Sequence, residues 1–117
     1  PNFFAGKRIV LIDDSIVRGT TIGKIVKLIK EAGAAEIHLR IGSPQVKHPC
    51  YYGIDTPDAQ ELVANRHSLD EIRRISGVDS LKHIDMDSLK SCVSHPESYC
   101  YACFNGSYPL GVPDEIE

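Results

Sequence analysis

Within about 35 residues the chain changes its hydrophobic period twice, and that succession constrains the fold more than any other feature. Ile9, Val10, Leu11 and Ile12 form a short, continuous, mostly β-branched run. This predicts a strand over 8–13, buried on both faces. Ile22, Ile25, Val26 and Ile29 then recur at the spacing of one helix face. Thr20 or Thr21 is expected to cap that helix. Lys27 and Lys30 lie near its end, where cations oppose the dipole, and Gly33 follows as the stop. Ile37, Leu39 and Ile41 alternate through "EIHLRI" before Gly42-Ser43-Pro44 ends the run. Strand, helix and strand at this spacing make a βαβ unit, which gives parallel strands and a right-handed crossover.

The rest of the chain is punctuated by caps. Thr56 as N-cap, Pro57 in the first turn and Asp58 beside it predict a helix running to about Ala64. Ser68 and Glu71 read as a capping box for a second short helix that Gly77 ends. Leu81–Ile84 is a candidate third strand, and Asp85 is placed to cap a helix from Met86 to about Cys92. The organisation is therefore an α/β unit over 1–93 and a loop-rich, cysteine-containing tail over 94–117. Two or three parallel strands do not make a self-sufficient sheet, because each needs neighbours and helical cover. Either the cover is unusual or the sheet continues upstream of Pro1; the second reading is preferred, and Pro1 in place of Met is read as the start of a fragment.

The net charge of -3, with no basic block, argues against nucleic acid as a partner. No apolar run is long enough to span a bilayer and no signal peptide is evident, so a cytoplasmic location is expected. The chemistry concentrates where the first strand ends. Asp13 and Asp14 stand at its carboxyl end, the place where open α/β sheets bind ligands. Ser15, Ile16, Val17, Arg18, Gly19, Thr20 and Thr21 then lead into a helix whose first N–H groups form a ready anion site. The loop suits a phosphate; the carboxylates would repel one and must face sugar hydroxyls, Mg²⁺ or both. The sequence is neither G-x-x-x-x-G-K-[ST] nor G-x-G-x-x-G. The plain alternative is a strand ending in a solvated turn.

"VLIDDSIVRGTT" resembles the 5-phosphoribosyl-1-diphosphate (PRPP) motif of type I phosphoribosyltransferases. Together with "SPQVKHPCYYGIDTP", "ELVAN" and "CYACFNGSYP", it looks like the amidophosphoribosyltransferases, from Gly6 to Pro109. The resemblance implies the type I phosphoribosyltransferase fold, incomplete in this chain. It implies that Asp13 and Asp14 contact the ribose hydroxyls and Mg²⁺, and that residues 15–21 cradle the 5-phosphate. Displacement of pyrophosphate by ammonia would give 5-phosphoribosylamine, the carboxylates stabilising positive charge on the ring. The family's glutaminase domain and the upstream half of its transferase fold have no counterpart here, so the isolated chain is expected to be inactive. Purine nucleotides are possible feedback ligands, and a homo-oligomer is expected. The rival reading is a PRPP-binding regulator that catalyses nothing. Neither a DNA-binding module nor a basic surface is evident, which speaks against it.

Cys100 and Cys103 form a C-x-x-C pair that suits zinc or an iron–sulfur cluster, against the alternative of ordinary reduced thiols. One subgroup of the family carries a [4Fe–4S] cluster, and Cys50, Cys100 and Cys103 match three of its ligand positions. The resemblance puts the fourth ligand upstream and leaves Cys92 as a helix-face thiol. His38 is expected on the solvent side of its strand, and His48 and Lys47 lie near the proposed sites without an assigned role.

Overall fold

The computed structural model describes residues 3–113; Pro1 and residues 114–117 of the expected tail lie outside the described residues. β1 (Arg8–Asp13), α1 (Thr20–Glu31) and β2 (Glu36–Ile41) form the βαβ unit within the bounds that periodicity set. They are followed by α2 (Val63–Arg66), α3 (Leu69–Ser76), β3 (Ser80–His83), α4 (Met86–Ser91) and α5 (Ala102–Asn105). The sheet has the order β1-β2-β3 and is parallel throughout. Ile9 pairs with Ile37, Leu11 with Leu39 and Asp13 with Ile41, so Asp13 shares a face with the apolar set but stands at its carboxyl end.

That face carries the core. Ile37, Leu39 and Ile41 are buried under Ile22, Val26 and Ile29 of α1 and Ile72 of α3, with Leu81 of β3 beside them. Four of these side chains point from a strand and four from a helix, which is the sheet-on-helix layering that the two periods require.

The opposite face differs from expectation. Val10 is 63% exposed and Ile12 75% exposed, so β1 is half-buried on one face, through Ile9 and Leu11, and open on the other. A continuous apolar run shows that both faces tolerate burial; how many are covered depends on elements far away in the chain. Between them and β3 the open face is polar: Ser80 Oγ meets His38 Nδ1 at 2.7 Å and accepts from Arg40 Nη1 at 2.9 Å. His38 is thus half-buried in a network rather than simply exposed.

Two further expectations are corrected. No continuous helix runs from Thr56 to Ala64: a 3₁₀ turn (Ala59–Glu61) is separated from α2 by extended Leu62, which is fully buried. The Thr56 hydroxyl does not cap; it accepts from the Cys50 amide at 2.9 Å. The capping box, by contrast, is complete, with Ser68 Oγ accepting from Glu71 N and Glu71 Oε1 from Ser68 N. Asp85 caps α4 through Ser88 N at 2.7 Å. The tail holds a 3₁₀ turn (Pro96–Ser98) and α5 and is otherwise irregular.

Candidate PRPP site and cysteine tail

Asp13 ends β1 and Asp14 follows it, so both carboxylates leave the sheet at one point. Asp13 Oδ1 accepts from Asp14 N at 2.8 Å, and Asp14 Oδ1 from Ser15 Oγ at 3.2 Å. Neither acid forms an ion pair among the described residues. Each therefore keeps lone pairs for a ligand, in the mode by which one or two carboxylates hold Mg²⁺ with phosphate and water.

The loop beyond them is anchored at two points. Ile16 is buried in the core cluster, and the Val17 carbonyl accepts from Val63 N of α2 at 2.9 Å. Gly19 enters α1 in the left-handed conformation, φ 84°, with no side chain capping the helix. This corrects the expectation of a Thr20 or Thr21 cap. The helix also has no acidic residue in its first turn. Its leading N–H groups are thus left to an external acceptor, where the positive end of the dipole favours an anion. Asp13, Asp14, Ser15, Ile16, Val17, Arg18, Gly19, Thr20 and Thr21 all border one cleft of about 340 Å³. The nine residues that the sequence assigns to the PRPP loop, 13–21, thus line one cleft. What the sequence did not flag is the support behind it: Val63, whose "ELVAN" stretch was noticed only as a resemblance.

The cysteines lie elsewhere, Cys100 and Cys103 in the tail and Cys50 and Cys92 ahead of it. Cys50 and Cys103 are half-buried, Cys92 and Cys100 exposed, and all four are free thiols. Burial pushes the Cys103 thiol up, and the nearby charges of Cys100 and Cys50 push it the same way, opposed by a backbone hydrogen bond. Cys50 Sγ accepts from Tyr52 N at 3.4 Å. The three thiols share one neighbourhood, yet among the described residues no three His, Cys, Asp or Glu side chains are arranged to hold a metal ion. Three thiolates also fall one short of the four that a [4Fe–4S] cluster takes. On its own the chain does not fit that group.

The tail docks through other contacts. Cys103 O accepts from Lys47 N and His48 N at 3.0 and 3.1 Å. Tyr108 donates to Pro49 O at 2.6 Å and Tyr52 to Gly111 O at 2.7 Å, with Tyr51 and Tyr108 stacked obliquely at 5.1 Å. Gly106, φ 73°, closes α5 against the His48 ring.

A parallel βαβ unit with paired acids at the strand end and an uncapped hydroxyl-rich loop defines an α/β segment of phosphoribosyltransferase type. No protein-family model matches the chain. It is 53% identical over 113 residues to the chloroplastic amidophosphoribosyltransferase of Glycine max, covering 96% of this chain and 20% of that protein. It is 52% identical over 112 residues to the amidophosphoribosyltransferase of Methanothermobacter thermautotrophicus, covering 95% and 24%. Among solved structures, the glutamine PRPP amidotransferase of B. subtilis, complexed with ADP and GMP, superposes with a TM-score of 0.88 at 43% identity, covering 97% of this chain and 26% of that one. By sequence and fold the chain matches one segment of the amidophosphoribosyltransferases, and it spans about a fifth to a quarter of its relatives' length.

Proposed function

We propose that this chain supplies the PRPP-binding segment of an amidophosphoribosyltransferase, the enzyme class that replaces the pyrophosphate of PRPP with an amino group in the first committed step of purine synthesis. The observation that carries the reading is the single cleft in which two free carboxylates face an uncapped helix N-terminus. The N–H groups of α1 and the hydroxyls of Ser15, Thr20 and Thr21 bind the 5-phosphate. Asp13 and Asp14 orient the ribose through its hydroxyls and would hold Mg²⁺, which supplies charge neutralisation at the diphosphate when bound. As the C1 bond to pyrophosphate loosens, positive charge grows on the ring, and carboxylates fixed beside it lower the barrier without attacking.

In this reading residues 1–93 are the C-terminal portion of a phosphoribosyltransferase domain and 94–117 its tail. Glutamine hydrolysis belongs to a glutaminase domain outside this chain, and the isolated chain is inactive. Cys50, Cys100 and Cys103 would give three thiolates to a [4Fe–4S] cluster completed from elsewhere in a longer protein. Purine nucleotides act as feedback ligands, in keeping with the ADP and GMP of the B. subtilis relative. The protein forms a homo-oligomer. We keep a cytoplasmic location as part of the proposal, although the soybean relative is named as chloroplastic; no helix among the described residues is long and apolar enough to cross a membrane.

The test is a calorimetric titration with PRPP and Mg²⁺, on the chain and on the longest natural polypeptide that carries it. Asp13→Asn with Asp14→Asn should weaken binding strongly in whichever form binds. Binding undiminished by the double substitution would sink the assignment of the acids.

A further inference from the structure

The "ELVAN" stretch contributes no side chain to the phosphate cleft, yet it lies directly behind it. Leu62 is fully buried and Val63 8% exposed. Val63 N donates to Val17 O at 2.9 Å, and its side chain lies 3.7 Å from where a Cβ on Gly19 would stand. Val63 therefore touches the loop both in its middle and at its entry to α1. It does so from α2, a helix of only four residues, far shorter than a helix that holds itself in water. Something must fix α2 if α2 is to fix the loop.

We propose that Asn65 is that positioning residue: its side-chain amide ties α2 to the backbone of Lys47 and so sets the phosphate loop. Both Nδ2 protons are used, one on Lys47 O at 2.7 Å and one on Ala59 O at 2.9 Å. Lys47 is itself fixed from the other side, its N–H donating to Cys103 O at 3.0 Å. A run of hydrogen bonds thus leads from the tail, through Lys47 and Asn65, to α2 and from Val63 to Val17. A loop held in this way presents its amides already ordered, and a phosphate that meets ordered donors does not spend binding energy arranging them. Asn is suited because it offers two donors from one short side chain. An aspartate of the same shape offers none and would set lone pairs against two carbonyl oxygens.

The inference rests on the reading that the loop takes the 5-phosphate of PRPP, and the experiment separates the two. PRPP affinity with Mg²⁺ and amide hydrogen exchange are measured on the intact protein carrying this segment, as wild type, Asn65→Ala, Asn65→Asp and Ser68→Ala. Ser68→Ala removes the α3 cap, a comparable stability loss off the route. The expected result is about tenfold weaker PRPP binding in both Asn65 variants, the scale of a lost hydrogen bond or two. Exchange at Val63 and residues 16–21 should quicken about tenfold, and kcat at saturating PRPP should hold. Ser68→Ala should bind within about twofold of wild type. Unchanged affinity in Asn65→Ala, or equal weakening by Ser68→Ala, overturns the positioning role. If wild type itself fails to bind PRPP, the phosphate reading falls, and exchange at Val63 alone decides whether Asn65 holds the loop.

Discussion

Replacing Gly19 and Gly106 separately with alanine tests how this chain uses left-handed backbone. Both have positive φ, 84° and 73°, so each alanine pays the left-handed penalty of ~1–2 kcal/mol, partly offset by a less flexible unfolded chain. The surroundings differ. A Cβ on Gly19 would meet Val63 at 3.7 to 3.9 Å, ordinary contact, whereas one on Gly106 would meet three His48 ring atoms at 2.9, 3.0 and 3.3 Å. Gly19→Ala should therefore cost about 1 kcal/mol, and Gly106→Ala about 2–4 kcal/mol once overpacking is added. Urea denaturation followed by circular dichroism reads both. In a His48→Ala background the cost of Gly106→Ala should fall to that of Gly19→Ala, which a double-mutant cycle measures. Equal costs in the wild-type background, or no relief from His48→Ala, would refute the steric argument.

Ser68→Ala should cost about 1 kcal/mol by removing the hydroxyl that accepts from Glu71 N, while the bond from the residue 68 backbone N–H to Glu71 Oε1 survives; Glu71→Gln should cost less because the amide oxygen can still accept. The half-buried imidazole of His83 is held below its usual pKa by burial, against the raising effect of its bond to Ser43 O. Its folded pKa lies below the unfolded one, so the unfolded state takes up the proton first. Its contribution is complete above the unfolded value near 6.5 and is lost as pH falls through the folded value. His83→Gln should flatten the acid limb of a stability–pH profile below about pH 6.5. With metal removed, iodoacetamide at pH 8 should label the exposed Cys92 and Cys100 ahead of Cys103, whose thiol is pushed up by burial; mass spectrometry of timed digests gives the order.

What was legible in the sequence follows the range of the forces involved. β1, α1, β2 and the two side-chain caps rest on periodicity and on bonds between residues three apart, and all were found in place. The cleft was legible for the same reason: its ten bordering residues, from Asp13 to Ile22, are consecutive, so their convergence is a local matter. The start of α1 was misread because Thr20 and Thr21 are good caps by chemistry, while the structure leaves that end uncapped behind Gly19. The broken helix at 56–64 was misread because Thr56 spends its hydroxyl on Cys50 and buried Leu62 takes the chain out of helix. The open face at Val10 and Ile12 and the role of Asn65 were out of reach, since each depends on partners far along the chain.

The three strands lie side by side in the order in which the chain makes them. During synthesis, β2 would find β1 and α1 already outside the ribosome, and β3 would find β2. Among these three strands, none has to be inserted between two that are already paired, the slow and aggregation-exposed step of many sheets. The tail, whose Cys103 carbonyl must reach back to Lys47 and His48, can dock only after the three strands that precede it have been made.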